Sequence, residues 1–296
     1  MRNTTNPVWA IVLLVLWAGA VRGQGTAAGE WHSYSADLYG TKYSPLDQID
    51  GDNFSKLEVA WRWRSADSHL PYEQENGLSQ IQAETLFDRL ELEQPGRWVT
   101  RPSIGRLSAT PLMADGVLYL VTPLYQAAAV DARTGETLWV HNPRAYEEGS
   151  PPLPNPWNHR GAAYWAKGEE ARIVWGTGDG FLTAVDAKTG LLAEKFGTDG
   201  RVSLEEGLPR ARENPSGLPP PSRSPPLVVG DTVIVGSSVH DYLHRRENAP
   251  GYARAYDMQT GQHLWDFRNV PQTADEFGAD TWLNESWRYS GNTNIW

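Results

Sequence analysis

The sequence predicts an all-β protein assembled from repeated four-stranded antiparallel units. Three observations predict it: a composition rich in Trp and Gly, a recurring Asp-x-x-Thr-Gly motif, and short apolar runs separated by turn residues before each copy. Of 296 residues, 14 are Trp and 28 are Gly. That pairing is expected where many short strands are joined by tight turns and large indoles pack between sheets. With 40% hydrophobic and 21% charged residues, the chain has the composition of a folded globular protein with material for a sizeable core.

Taken in order, the chain opens with Arg2 and then an uncharged apolar run at residues 8–18. This is shorter than the ~20 residues that span a bilayer comfortably. Ala18-Gly19-Ala20 has the small-x-small pattern of a signal peptidase site. Residues 1–23 are therefore read as a signal peptide or a single retained membrane anchor, and the remainder, 24–296, as one exported domain. Next come Asn53 and Trp61, which share an eight-residue offset with later Asp–Trp pairs and read as a worn first copy of the repeat. Residues 65–107 form an insertion, with weak helical periodicity at 76–92.

The repeat itself occurs as Asp131-Ala132-Arg133-Thr134-Gly135, Asp186-Ala187-Lys188-Thr189-Gly190 and Asp257-Met258-Gln259-Thr260-Gly261. Each copy reads strand, turn, strand. The Asp carboxylate accepts from backbone N–H groups two and three residues on, Thr adds its hydroxyl, and Gly takes the positive-φ position. Trp139 and Trp265 each follow their Asp by eight residues, whereas the second copy has Glu194 there and is degenerate. Before the first and third copies lie matched strand pairs, beginning Thr110-Pro111-Leu112 and Ser224-Pro225-Pro226-Leu227; before the second, Asp179-Gly180 sits at a hairpin turn. Each unit thus holds about four strands, the size of one β-propeller blade. The Asp residues stand 55 and 71 apart, against roughly 40–50 for a bare blade. The excess falls into loops at residues 142–158, 201–221 and 240–251, where binding chemistry concentrates.

Composition excludes several functions. A formal charge of −10 argues against a nucleic-acid partner, which needs clustered cations. Zero Cys excludes disulfides, thiolate zinc sites, iron–sulfur clusters, Cys nucleophiles and a CxxCH haem attachment. Gly176-Thr177-Gly178-Asp179-Gly180 superficially suggests a dinucleotide loop, but no helix follows it.

The repeats with their following Trp resemble the tryptophan-docking blades of quinoproteins, eight-bladed propellers that bind pyrroloquinoline quinone (PQQ) and a divalent cation. The opening Trp31-His32-Ser33-Tyr34-Ser35, the stretch from Tyr39 to Ile49, and Leu57-Glu58-Val59-Ala60-Trp61-Arg62-Trp63 resemble the first segment of the glucose/quinate-type, membrane-associated members. The resemblance runs from about Trp31 to Trp296, and implies a partial eight-bladed quinoprotein-type propeller with about half of the blades present.

Three segments carry the implied site. Asn158-His159-Arg160-Gly161 resembles the segment whose Arg reaches the polar edge of the quinone, and a guanidinium suits a ligand with three carboxylates. On the residues alone Arg160 is also an ordinary rim arginine paired with a Glu. His159 is read either as lying over the cofactor plane or as a surface histidine. Gly236-Ser237-Ser238-Val239-His240-Asp241 resembles the segment whose carboxylate joins the metal site. Asp241 stands at that position, an oxygen ligand suited to Ca²⁺ or Mg²⁺, though a loop cap is the plain alternative. Ser237 and Ser238 are candidate cofactor contacts. Asn292-Thr293-Asn294-Ile295-Trp296 resembles the stretch whose Trp forms the floor under the quinone, with Trp296 as that indole and Asn294 as a polar contact. Trp282 and Trp287 are read as packing residues.

The resemblance implies PQQ-dependent oxidation of an alcohol or sugar hydroxyl in the periplasm, with electrons passing to ubiquinone or a cytochrome. It places the catalytic Asp beyond Trp296, so no catalytic base is assigned and the chain is expected to be an inactive N-terminal portion. The alternative is a non-catalytic periplasmic propeller that uses the same docking repeats as a scaffold for protein contacts.

Overall fold

The structure, a computed structural model, describes residues 26, 29–69, 92, 95, 107–148, 157–211, 222–239, 247–291 and 293–295. The N-terminal apolar run, the helical reading at 76–92 apart from Leu92, Asp241 and Trp296 lie outside the described residues.

Twelve described strands form three four-stranded antiparallel sheets, each in plain chain order. The first contains β1 (Leu112–Ala114), β2 (Val117–Val121), β3 (Ala127–Asp131) and β4 (Thr137–His141). The second contains β5 (Ala163–Lys167), β6 (Glu170–Gly176), β7 (Phe181–Asp186) and β8 (Arg201–Ser203). The third contains β9 (Leu227–Val229), β10 (Thr232–Val235), β11 (Tyr252–Asp257) and β12 (His263–Arg268). Strand β5 touches both β1 and β9, so the first strands of the sheets line one side together.

The sheets stack through side chains that alternate along each strand. In β6, Ile173 and Trp175 face the first sheet among Leu112, Tyr119 and Ala129, while Val174 faces the third among Val233, Tyr256 and Met258. A strand buried on both faces reads as a continuous apolar run, as this one does.

The repeat motif builds the joints between sheets. Asp131 Oδ1 accepts the N–H groups of Arg133 at 2.9 Å and Thr134 at 2.8 Å. Asp186 and Asp257 repeat this pattern. Two of the tryptophans dock on the turn of the sheet that follows them: Trp61 Nε1 donates to Ala132 O at 3.1 Å and Trp139 Nε1 to Ala187 O at 3.0 Å. Gly190 is required twice over. Its φ is +70°, and a Cβ there would lie 2.6 Å from the Trp139 indole.

Three expectations are sharpened or corrected. The turn of the worn first copy is made by Asp50 and Asn53 together: Asp50 Oδ1 accepts from Asp52 N at 2.9 Å and Asn53 N at 3.0 Å, and Asn53 Oδ1 accepts from Asp50 N at 3.0 Å. The Asn53 amide also donates to Gln48 O. In the second copy the strand after the turn is not contiguous with it. Only Leu192 bridges back to Val185, the chain bulges outward with Phe196 fully buried, and the fourth strand resumes at Arg201. Nor is that copy's joint lost with its tryptophan. Arg172, buried in β6, donates to Met258 O at 2.5 Å and Gln259 O at 3.0 Å. Met258 O is the counterpart of the carbonyls of Ala132 and Ala187, so a guanidinium serves where an indole N–H serves elsewhere. Trp282 and Trp287 do pack together with Val270 and Ala279.

An N-terminal strap runs beside the first strands. Trp31 pairs with Met113 of β1 through two backbone bonds of 2.8 and 3.0 Å, and His32 O accepts from Tyr164 N of β5 at 3.3 Å. No helix among the described residues is long and apolar enough to cross a membrane.

Candidate functional site

The residues just before β1, β5 and β9 are tied to one another. Thr110 N donates to Arg160 O at 3.0 Å, and Arg160 N donates to Arg223 O at 3.1 Å. This backbone chain crosses all three sheets and sets two arginines side by side. Gly161, at φ +142°, lets the chain turn into β5 there; a Cβ would meet Thr110 O at 3.2 Å. Arg160 is exposed and lines a cavity of 330 Å³ with Ser33, Ser35 and Asp37 of the strap and Ser224 at the entry to β9. Asp37 brings a carboxylate into the same lining. Its Oδ1 accepts from Tyr39 N and Thr41 N, and its Oδ2 accepts from Thr41 Oγ1 at 2.7 Å.

His159 lies in the interior, 1% exposed, edge-on to Tyr125 at 5.3 Å. Its Nδ1 accepts the Gly161 N–H at 3.1 Å, which places the ring proton on Nε2. The carbonyls of Gly176 and Ser222 lie close to the ring, yet Nε2 makes no hydrogen bond. Burial, reinforced by the Arg223 charge, pushes its pKa down to about 3 against the pull of those carbonyls. The imidazole is therefore neutral across the physiological range.

Ser237 has a use that its motif did not announce. Its Oγ donates to Tyr252 O at 2.9 Å and accepts from Tyr252 N at 3.3 Å, closing the gap between β10 and β11. Thr122 and Thr177 do the same job after β2 and β6, each hydroxyl bonding the far side of its loop. Ser238 is 2% exposed beside it. The segment at residues 293–295 returns to this place: Ile295 N donates to Ser237 O at 3.3 Å and Gly251 N to Thr293 Oγ1 at 3.2 Å. Asn294 Oδ1 is buried with no hydrogen-bond partner. The structure thus joins Ser237 and Ser238 to the Asn294 segment, and joins His159 and Arg160 to Arg223.

Arg210 organises the loops above the third sheet. Its three nitrogens donate to Asn248 O, Arg288 O and Ser290 O at 2.8–3.1 Å. At the first sheet, Asp67 is wholly buried and accepts from Thr122 Oγ1 at 2.6 Å, Gln126 Nε2 at 2.7 Å and Leu124 N at 3.1 Å. Burial raises its pKa although these donors pull it down.

Sequence reasoning missed Arg223, Ser224 and Ser33 as site residues. The signal for the first two was present, since Ser224-Pro225 had been matched to Thr110-Pro111 as a strand start, and such starts gather at one end of stacked sheets. Ser33 stood in the opening Trp31–Ser35 segment that carries the resemblance, but nothing in that segment assigned it to a site. Among the described residues no group of three or more His, Asp or Glu side chains is placed to hold a metal ion.

Residues 31–296 match the family described as "Glucose/ethanol/alcohol dehydrogenase, beta-propeller domain", a PQQ family. The chain belongs to that family. Quinoprotein glucose dehydrogenase of Escherichia coli is 29% identical over 252 residues, which cover 80% of this chain and 27% of that protein. The quinate/shikimate dehydrogenase (quinone) of Acinetobacter baylyi is 31% identical over 254 residues, covering 80% of this chain and 27% of the relative. The dehydrogenase subunit of alcohol dehydrogenase (quinone) from Gluconacetobacter polyoxogenes is 29% identical over 275 residues, covering 90% and 29%. The chain therefore spans little more than a quarter of these relatives' length. Quinohemoprotein alcohol dehydrogenase from Comamonas testosteroni shares the fold, with a TM-score of 0.54 at 23% identity over 83% of this chain and 28% of that one.

The described residues fit an anionic planar quinone. Arg160 and Arg223 precede adjoining strands with their backbones hydrogen-bonded, and of the buried polar atoms that lack partners Ser224 Oγ can donate to a carboxylate, whereas Asn158 Oδ1 and Asn294 Oδ1 accept. Native interiors seldom leave such atoms unmet unless a ligand or ion answers them. The cavity of 330 Å³ is at the lower end of the ~300–1,000 Å³ range of small-molecule sites.

Proposed function

We propose that this chain forms part of a PQQ-dependent dehydrogenase that oxidises an alcohol or sugar hydroxyl and passes the electrons to a quinone or cytochrome. The observation that carries the reading is the backbone hydrogen bond that ties Arg160 to Arg223 at adjoining strand entries, with Arg160 lining a cavity. When bound, PQQ supplies a quinone that accepts hydride from an alcohol carbon. The chain's own residues hold and orient it. Arg160 and Arg223 offer planar, permanently charged donors to its carboxylates. His159, neutral and fixed by the Gly161 N–H, keeps the Arg160 backbone in place. Ser238 and Asn294 are proposed as further polar contacts, Ser237 as a contact through its backbone surroundings, and Trp296 as the stacking floor.

Asp241 is proposed as a carboxylate ligand for Ca²⁺ or Mg²⁺, and residues 1–23 as an export signal or anchor that brings the domain to the periplasm. We also propose that the 296-residue chain alone binds the cofactor without turning over substrate, which its quarter-length coverage of the relatives supports. Two measurements test this on the purified chain. Titration with PQQ and Ca²⁺ is expected to quench Trp fluorescence, with R160A binding about tenfold more weakly or worse. PQQ-dependent dye reduction with glucose or ethanol is expected to be absent. Sustained dye reduction contradicts the second proposal, and lack of quenching contradicts the first.

A further inference from the structure

The β2–β3 and β6–β7 connections are one five-residue turn built from different residues. In Thr122-Pro123-Leu124-Tyr125-Gln126, Thr122 N donates to Gln126 O at 2.8 Å and Tyr125 N to Thr122 O at 2.9 Å. In Thr177-Gly178-Asp179-Gly180-Phe181, Thr177 N donates to Phe181 O at 2.8 Å and Gly180 N to Thr177 O at 3.1 Å. The fourth residue has a positive φ in both, +82° for Gly180 and +65° for Tyr125. Glycine takes that conformation freely, whereas a bulky aromatic residue is strained in it. Such strain persists only where the surroundings over-determine the backbone. Asp67 supplies that constraint. The second turn has its own carboxylate, Asp179, to which Thr177 Oγ1 donates at 2.5 Å. Leu124 stands at that position in the first turn, and Asp67, 55 residues before Thr122, fills the role from outside. It accepts from Thr122 Oγ1 at 2.6 Å, Gln126 Nε2 at 2.7 Å and Leu124 N at 3.1 Å, so three of the five turn residues are tied to one carboxylate. Asp67 and Tyr125 are both fully buried.

The strained backbone places a phenol ring where the second turn has no side chain. The Tyr125 ring stands edge-on to His159 at 5.3 Å and to Trp157 at 6.4 Å, and its carbonyl accepts from Trp175 Nε1 at 2.9 Å. His159 Nδ1 in turn accepts the Gly161 N–H, while Arg160 O, in the same peptide unit, accepts from Thr110 N. We propose that Tyr125, clamped by Asp67, is a positioning residue for the cofactor face: its ring sets the plane of His159, and His159 sets the Arg160–Gly161 peptide from which the Arg160 side chain departs. Asp67 acts through this turn alone and touches no ligand. The consequence for binding rests on the PQQ reading above; the clamp on His159 does not.

The test has two arms. The first is imidazole nitrogen NMR on the isotope-labelled chain without ligand, with the His159 signals assigned by H159Q. The unaltered chain is expected to show one neutral tautomer, protonated on Nε2 and accepting at Nδ1. In D67A and Y125A these signals are expected to shift toward a mixture of tautomers, with D67N, which keeps one side-chain oxygen, in between. W139A, which loosens the first two sheets elsewhere, is expected to leave them in place, so the readout is not a general loss of stability. Unchanged His159 signals in D67N, Y125A and D67A overturn the clamp, as does an equal shift in W139A. The second arm is PQQ titration followed by Trp quenching. D67A is expected to weaken binding about tenfold in the unaltered chain and less than about twofold further in R160A, because the two act through one guanidinium. Equal losses in both backgrounds overturn the link to Arg160. Absence of quenching in the unaltered chain overturns the PQQ reading and leaves the first arm to decide the clamp.

Discussion

Replacing Trp139 by Ala removes one of the contacts that join the first two sheets, beside the Tyr119–Ala187 and Trp175–Tyr125 bonds. Its indole covers the Gly190 turn, with Nε1 bonded to Ala187 O at 3.0 Å. An indole buries roughly 150–250 Å²; Trp139 is largely buried, so about 120 Å² at ~25 cal/mol per Å² gives ~3 kcal/mol. The lost N–H···O bond adds about 1 kcal/mol. The expected cost of W139A is therefore ~3–4 kcal/mol, at the lower end of the Trp→Ala range in cores. Trp265 has the same place in its repeat but is 43% exposed on the far side of the third sheet. W265A is expected to cost less than ~1 kcal/mol. The assay is urea unfolding followed by far-UV circular dichroism, which does not depend on the fluorophore removed. With a slope of ~2–3 kcal/mol per molar, the W139A midpoint falls by more than 1 M while W265A barely moves. Equal shifts for the two variants refute the docking argument, since they would make the tryptophans interchangeable surface residues.

Other predictions follow from the same contacts. R172M leaves the carbonyls of Met258 and Gln259 unpaired and is expected to destabilise by about 2 kcal/mol, with R172K recovering part of it in the same unfolding assay. Asp67 has a folded pKa raised above its ordinary 3.8, so its contribution to stability is greatest below that pH and is lost as pH rises through the folded value. The unfolding free energy of the unaltered chain minus that of D67N is thus expected to fall between pH 3 and pH 8; a rise contradicts the assignment. D241N is expected to abolish any enhancement of PQQ quenching by Ca²⁺, and EDTA is expected to weaken binding in the unaltered chain without weakening it further in D241N.

The repeat was legible because its chemistry is local. Asp131, Thr134 and Gly135 interact within five residues, and the same is true at Asp186 and Asp257, so pattern and geometry coincide. Asp50 and Asn53 show the limit of that logic. Counting back from Trp61 selects Asn53 alone, whereas both side chains cap the turn, Asp50 Oδ1 taking two backbone N–H groups and Asn53 Oδ1 taking one. The Arg172 joint was not legible at all. The residue that replaces the missing indole comes from β6 rather than from the strand after the turn, and only the stacked sheets bring it to Met258 O. The candidate site divides in the same way. Arg160 was found from a motif, but its partners Arg223, Ser224 and Ser33 are separated from it by 63, 64 and 127 residues. Only the meeting of strand entries makes them neighbours. Ser237 read as a ligand contact because its surroundings resembled one, while comparison with Thr122 and Thr177 reveals a ladder-closing hydroxyl common to all three sheets.

The most direct test of the central claim is a crystal structure of the chain grown with PQQ and Ca²⁺. It is expected to show the quinone against Arg160 and Arg223. PQQ bound elsewhere on the three sheets, away from both arginines, would contradict it.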